Sequence, residues 1–194
     1  MMDLAELDRR PLIVGVAGPN GAGKTTFCHA HLALSGLRFV NADVLAAELA
    51  IDAYEAARLA HALRRALVAR GESFVFETVF SDPVGERIAF LEDAAQQGYN
   101  VVLCYIGLSG PDQSTERVAM RVSQGGHDVP DEKLRSRFPR TLKNLQAAVQ
   151  RLPHVLIYDN SDLSIPFRAV AEFRHGLLSR LHEPVPGWLR SLIA

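Results

Sequence analysis

One octapeptide limits what this chain can fold into more than any other feature. Gly18-Pro19-Asn20-Gly21-Ala22-Gly23-Lys24-Thr25 fits G-x-x-x-x-G-K-[ST] at every fixed position. It follows Leu12–Ala17 (LIVGVA), a short apolar run, and opens a stretch of helical composition, which is the strand–loop–helix context the motif requires. The glycines let successive backbone N–H groups curl around a β-phosphate, and the helix N-terminus adds a favourable dipole. Lys24 then reaches the β- and γ-phosphates, and the Thr25 hydroxyl ligates Mg²⁺. The expected nucleotide-binding set is Gly18, Asn20, Gly21, Ala22, Gly23, Lys24, Thr25 and Thr26, with Thr25 the metal ligand. A glycine turn without function is the alternative. Against it, only Lys24, Lys133 and Lys143 among the 21 basic residues are lysines, and one of them occupies the motif. A nucleoside triphosphate, ATP or GTP, with Mg²⁺ is therefore the expected ligand.

The rest of the chain alternates in a way that suits this loop. Apolar runs recur at Arg38–Asn41, Ser73–Glu77, Asn100–Ile106 and His154–Tyr158, nearly continuous as in strands covered on both faces. Helical composition fills Thr25–Leu34, Asp43–Arg70, Val84–Gln97, Gln113–Ser123 and Asp131–Arg151. The alternation predicts an α/β domain with a P-loop NTPase fold: a parallel sheet of about five strands flanked by helices. After Asp159-Asn160-Ser161 the pattern changes. Phe167–Phe173 and Leu177–His182 around Arg174-His175-Gly176 read as a hairpin, and Pro184–Ala194 as a short helix packed on the body. The 194 residues form one domain, with a helical lid at about 112–140 and the hairpin and tail at about 166–194.

Composition narrows the partners. Net charge is −1, which disfavours a nucleic-acid backbone as ligand. Cys28 and Cys104 are the two cysteines and lie far apart, so neither a disulfide framework nor a zinc site is indicated. The apolar run Leu12–Ala17 is too short for a signal core or a membrane span, so no membrane association and a cytoplasmic location are expected.

Among P-loop proteins, a GTPase needs an N-K-x-D segment, and none occurs. Ser123-Gln124-Gly125-Gly126-His127 loosely echoes the ABC signature loop, but no apolar run ending in Asp-Glu accompanies it. A small-molecule kinase fits the length and calls for an acid beyond the second strand, facing the γ-phosphate, to deprotonate an acceptor hydroxyl. Asp43 is such an acid; helix N-capping is a second role for it, compatible with the first. Glu77 and Thr78 end the third strand at the crevice and are expected to bind an acceptor, with capping or an arginine pair as the alternative for Glu77.

Residues 41–97 hold ten acids and five bases, whereas 111–151 hold five acids and eight bases. Arg117 and Arg121 share a helix face at i, i+4, a Gly-Gly hinge follows, and Arg135, Arg137 and Arg140 come next. Two such helices look like a lid whose arginines neutralise the moving phosphoryl group and whose closure excludes water. Pairing with acids on neighbouring turns is the alternative for any one arginine. His127 suits hinge packing better than metal ligation. Asn160, after the last core strand, is placed either for a purine or for a plain turn.

The segments AGPNGAGKTTF, FVNADVLA, FVFETVFSD, RVAMRVSQGGHDVP, RFPRTLKNL and VLIYDNSD, in this order, resemble the zeta-toxin-like P-loop proteins, many of which carry the label ABC-type ATPase. The resemblance runs from about Pro11 to Asp162 and continues weakly to Trp188. It implies an ATP- and Mg²⁺-dependent phosphotransferase acting on a hydroxyl of a UDP-sugar such as UDP-N-acetylglucosamine, with a small antitoxin as partner. By motif it implies Lys24 and Thr25 as phosphate and Mg²⁺ residues and Asp43 as catalytic base. It further implies Glu77 and Thr78 as sugar-nucleotide contacts and Arg121 and Arg137 as lid arginines. Arg117, a further acceptor contact, Arg135 and Arg140 compete for the lid register.

Overall fold

The computed structural model describes residues 9–123 and 129–193. Residues 124–128, where a hinge with His127 is expected, lie outside the described residues. Seven strands form one sheet: β1 (Leu12–Ala17), β2 (Arg38–Val40), β3 (Phe74–Thr78), β4 (Asn100–Gly107), β5 (His154–Asp159), β6 (Arg168–Arg174) and β7 (Leu177–Leu181). Their order is β2-β3-β1-β4-β5-β6-β7. The first five are parallel, as the alternation predicts, and β6 and β7 extend the same sheet antiparallel. The expected hairpin thus continues the sheet. Its two-residue turn, His175-Gly176, has φ of 48° and 81°, the left-handed pair that matches the twist of adjoining strands.

β1 is buried at every residue, with Leu12, Val14 and Val16 on one face and Ile13 and Ala17 on the other. That is why its sequence shows no polar alternation. The helices are α1 (Lys24–Phe27), α2 (Ala42–Leu49), α3 (Ala53–Ala69), α4 (Glu86–Gln96), α5 (Pro111–Ser123), α6 (Asp131–Arg151) and α7 (Gly187–Ile193). Two helices differ from expectation. The stretch after the P-loop is α-helical only to Phe27, then loosens to a π turn at Cys28–Leu32 and tightens to a 3₁₀ turn at Ala33–Ser35. Asp43–Arg70 is two helices, because Ala50 turns left-handed (φ 52°) and the Asp52 carboxylate caps a fresh start by accepting from the N–H groups of Tyr54 and Glu55 at 2.8 and 2.9 Å. Propensity scales see only good helix formers there; a local cap decides the break.

The tail helix docks as expected. Trp188 lies across Gly107, where a Cβ would come within 2.1 Å of its ring, and donates its indole N–H to Asp159 at 3.1 Å. Parallel pairing puts the carboxyl ends of β1 to β5 on one edge of the sheet. The chain leaves β1 for one side and later crosses to the other, and a ligand crevice belongs outside that switch point.

Candidate active site

The P-loop follows β1 directly and is shaped by three left-handed or otherwise glycine-dependent residues. Gly18 has φ 147° and a Cβ there would lie 2.2 Å from the Ile106 carbonyl oxygen; Gly21 and Gly23 have φ of 75° and 86°. No other residue type fits at Gly18 without moving β4. The loop is also fastened from outside. The Ser114 hydroxyl of α5 donates to the Asn20 carbonyl at 2.7 Å, and the Asn160 amide donates to the Ala22 carbonyl at 2.9 Å.

Asn160 is only 3% exposed, and its side-chain oxygen accepts from the Phe167 N–H at 3.2 Å. Both ends of its amide are therefore engaged within the protein. Its position after the last core strand left a purine contact or a plain turn open; in the structure its side chain supports the back of the P-loop, a role no sequence spacing reveals. Asn160→Ala should leave a buried carbonyl and a buried N–H unpaired, at a cost of roughly 1–3 kcal/mol. Thermal unfolding with and without ATP tests this: the melting temperature should fall and the ATP-induced rise should shrink.

Lys24 is buried, and its ammonium donates to the Pro19 carbonyl at 2.9 Å. Burial pushes its pKa down; Glu77 and Asp43 oppose the shift, and Arg121 adds to it. An ammonium held this way lacks a full counter-charge, which a phosphate would supply. The Thr25 hydroxyl donates to Glu77 Oε2 at 2.8 Å, and Asn41 Nδ2 donates to the same oxygen at 3.0 Å. Thr26 is exposed on the next position of α1.

Asn41 also caps α2, its side-chain oxygen accepting from the N–H groups of Asp43 and Val44 at 2.7 and 3.3 Å. The cap is therefore Asn41, not Asp43. An amide directly before a helical run is itself a local N-cap signal. One consequence concerns Asp43: released from capping, its carboxylate is exposed in the first turn of α2 and hydrogen-bonds to none of the described residues.

Lys24, Asp43, Glu77, Thr78, Arg121 and Arg137 all line one cavity of about 710 Å³. Thr78 shapes its floor, accepting the Phe80 N–H on its hydroxyl at 3.2 Å. Phe80, with φ 63° and a buried ring, is held there by Asn144 of α6, whose amide donates to the carbonyls of Phe80 and Asp82 at 2.9 Å each. The arginines separate. Arg121, Arg137 and Arg140 face the cavity, whereas Arg135 pairs with Asp112 at 2.8 Å on the exposed surface. Arg117 is not brought to the Asp43 end. Its guanidinium donates to the Ser161 carbonyl at 3.2 Å and lines a second hollow of about 400 Å³ with Gln113 and Met120. Among the described residues, no group of three or more His, Cys, Asp or Glu gathers as a metal cage, and no helix is long and apolar enough to cross a membrane.

Comparison with known proteins agrees with this architecture. The family model described as AAA domain matches residues 13–145, more than half of the chain. No curated protein matches in sequence. The AvrRxo1-ORF1:-ORF2 structure with ATP superposes with a TM-score of 0.70 at 19% identity, over 91% of this chain and 62% of that one. The chain therefore spans under two thirds of that relative. A structure from the PezAT chromosomal toxin-antitoxin system of Streptococcus pneumoniae gives 0.59 at 17% identity, over 84% and 72% of the two chains. A candidate kinase from Chloroflexus aurantiacus gives 0.55 at 22%, over 79% and 90%. At these identities the likeness is one of fold.

Proposed function

The chain belongs to the AAA domain family, and from that premise we propose that it is an ATP- and Mg²⁺-dependent phosphotransferase whose acceptor is a hydroxyl on a small molecule. The observation that carries this reading is the placement of Asp43: an unengaged carboxylate on the same cavity as the P-loop lysine. A nucleotide switch needs a P-loop. It has no use for a free base facing a cavity large enough for a second substrate.

In this reading the P-loop N–H groups and Lys24 hold the β- and γ-phosphates. The donor set fits Mg²⁺: a threonine hydroxyl beside one carboxylate, all hard oxygen ligands, with phosphates left to complete the shell. Bound there, the ion would neutralise phosphate charge. Thr25 would hold it directly, and Glu77 would orient Thr25 and the metal's water. The adenine ring of ATP would lie in the hollow lined by Arg117 and Ser161. Asp43 accepts the proton of the acceptor's hydroxyl as the acceptor oxygen attacks the γ-phosphorus, the bond from that phosphorus to the β,γ-bridging oxygen breaks and ADP leaves, while Arg121 and Arg137 stabilise the charge on the transferring group. A UDP-sugar such as UDP-N-acetylglucosamine is the acceptor favoured by the zeta-toxin-like motifs. A small antitoxin is the corresponding partner, consistent in fold with the PezAT toxin-antitoxin structure.

Mass spectrometry of the protein incubated with ATP, Mg²⁺ and a panel of UDP-sugars tests the reading. One sugar nucleotide should gain about 80 Da, a single HPO₃. ATP binding without phosphorylation of any panel member would remove the UDP-sugar assignment. ADP release indifferent to every hydroxylated acceptor supplied would remove the kinase reading itself.

A further inference from the structure

The cavity extends well beyond the P-loop, and its other charged lining is mostly basic, with only Arg87 ion-paired among the described residues, to Glu86 at 3.1 Å. Setting aside Lys24, Asp43, Glu77 and Arg121, that lining is Arg64, Arg87, Lys133, Arg137 and Arg140 against the single acid Asp82. Arg64 is the unusual member. It sits on the buried stripe Ala56, Ala60, Arg64, Leu67 of α3, is 4% exposed, and stacks its guanidinium over the rings of Phe76 and Phe90 at 5.0 and 5.9 Å. Its Nε–H is buried with no hydrogen-bond partner. Glu86 draws on it only through space, while Arg87 repels it.

Two further buried groups on the same cavity are unsatisfied: the Nε–H of Arg140 and both carboxylate oxygens of Asp82. A buried arginine stacked on aromatic rings is attracted to their faces, but that does not replace the hydrogen bonds it has given up. Groups left orphaned in this way need a reason, and a ligand that completes them supplies one.

Resting on the phosphotransferase reading, we propose that the acceptor carries an oxyanion, a carboxylate or a phosphate, bound by the Arg64 guanidinium, with hydroxyl donors directed to Asp82. The stacking rings fix the plane of the guanidinium, and a fork held in one plane suits a bidentate oxyanion better than a lone cation would. Burial depresses the Arg64 pKa to about 10, so the group stays charged throughout the neutral range. Arg140 of α6 lines the same cavity and supplies a second guanidinium to it.

The test reads Arg64 directly and needs no turnover. In ¹H–¹⁵N spectra of arginine Nε–H groups, the Arg64 signal is assigned by its loss in Arg64→Lys, with the P-loop filled by AMP-PNP and Mg²⁺. Inorganic phosphate and acetate are then titrated separately. The Arg64 and Arg140 signals should move downfield together and saturably with one of the two ions. Phosphate as the effective ion marks a phosphorylated acceptor, acetate a carboxylated one. The response of Arg140 to that ion should weaken at least tenfold in Arg64→Lys. An Arg64 signal that neither ion moves, or that already shows a strong hydrogen bond without either, overturns the proposal. Loss of phosphoryl transfer in the mass-spectrometric assay, with this response intact, would count against the kinase reading alone.

Discussion

Asp43→Asn is expected to bind ATP as the unaltered protein does and to phosphorylate its acceptor roughly 10²–10⁴-fold more slowly, the range that a positioned general base contributes. The reasons are geometric. The carboxylate is exposed on the cavity and makes no hydrogen bond to the described residues, so its amide replacement disturbs no contact. The α2 cap survives because Asn41, not Asp43, provides it. Asparagine keeps the size and loses the basicity. Single-turnover kinetics with a saturating acceptor, beside a titration with AMP-PNP, separate the two quantities. An Asp43→Asn protein that transfers at the full rate would move the base elsewhere on the cavity, and Glu77, already accepting from Thr25 and Asn41, is poorly free to take the role.

Lys24→Met should have the opposite split between stability and binding. In the free protein the lysine is a buried cation with one carbonyl as its hydrogen-bond partner. A thioether of similar length fills the same space without the desolvation cost. The melting temperature of the ligand-free variant should therefore hold or rise, while the ATP-induced rise disappears. Losing charge-assisted contacts to two phosphates should weaken ATP by roughly 10²–10⁴-fold, at about 1.5–3 kcal/mol for each such bond.

The pH dependence carries the same sign. The folded pKa of Lys24 lies below the ordinary 10.5, so between the two values the unfolded chain holds the extra proton. Stability from this group therefore increases as pH rises through that window, and below it the full desolvation cost applies. ATP, by supplying counter-charge, should reverse the shift, so alkaline binding should be accompanied by proton uptake. Calorimetry in buffers of different ionisation enthalpy measures that uptake, and Lys24→Met should abolish it. An ATP-binding Lys24→Met protein would remove Lys24 from the phosphate site.

Some of this architecture was legible in local residue order. A P-loop needs consecutive residues with particular backbone freedom, and strands buried on both faces write themselves as unbroken apolar runs. The five parallel strands, the hairpin turn at His175-Gly176 and the tail helix follow from such local patterns. The helix break at Ala50 does not, because it rests on one aspartate winning against strong helix formers on both sides. Arg64 carries a local signal of its own: an arginine four residues after Ala60 on an otherwise small and apolar stripe is out of place.

The amino-acid sequence by itself determined which residues can cradle phosphate, and that Asp43, Glu77 and Thr78 fall at strand ends, since parallel strands share one carboxyl edge. Only the tertiary structure decided which long side chains meet there. Arg117, Arg121, Arg135, Arg137 and Arg140 are interchangeable by spacing, yet one binds the Ser161 carbonyl, one pairs with Asp112, and three face the cavity. Asn160 holds a loop that lies 138 residues away in sequence. The physical reason is reach: backbone conformation is fixed by near neighbours, whereas a side chain's partner depends on which elements the sheet order brings within a few ångströms.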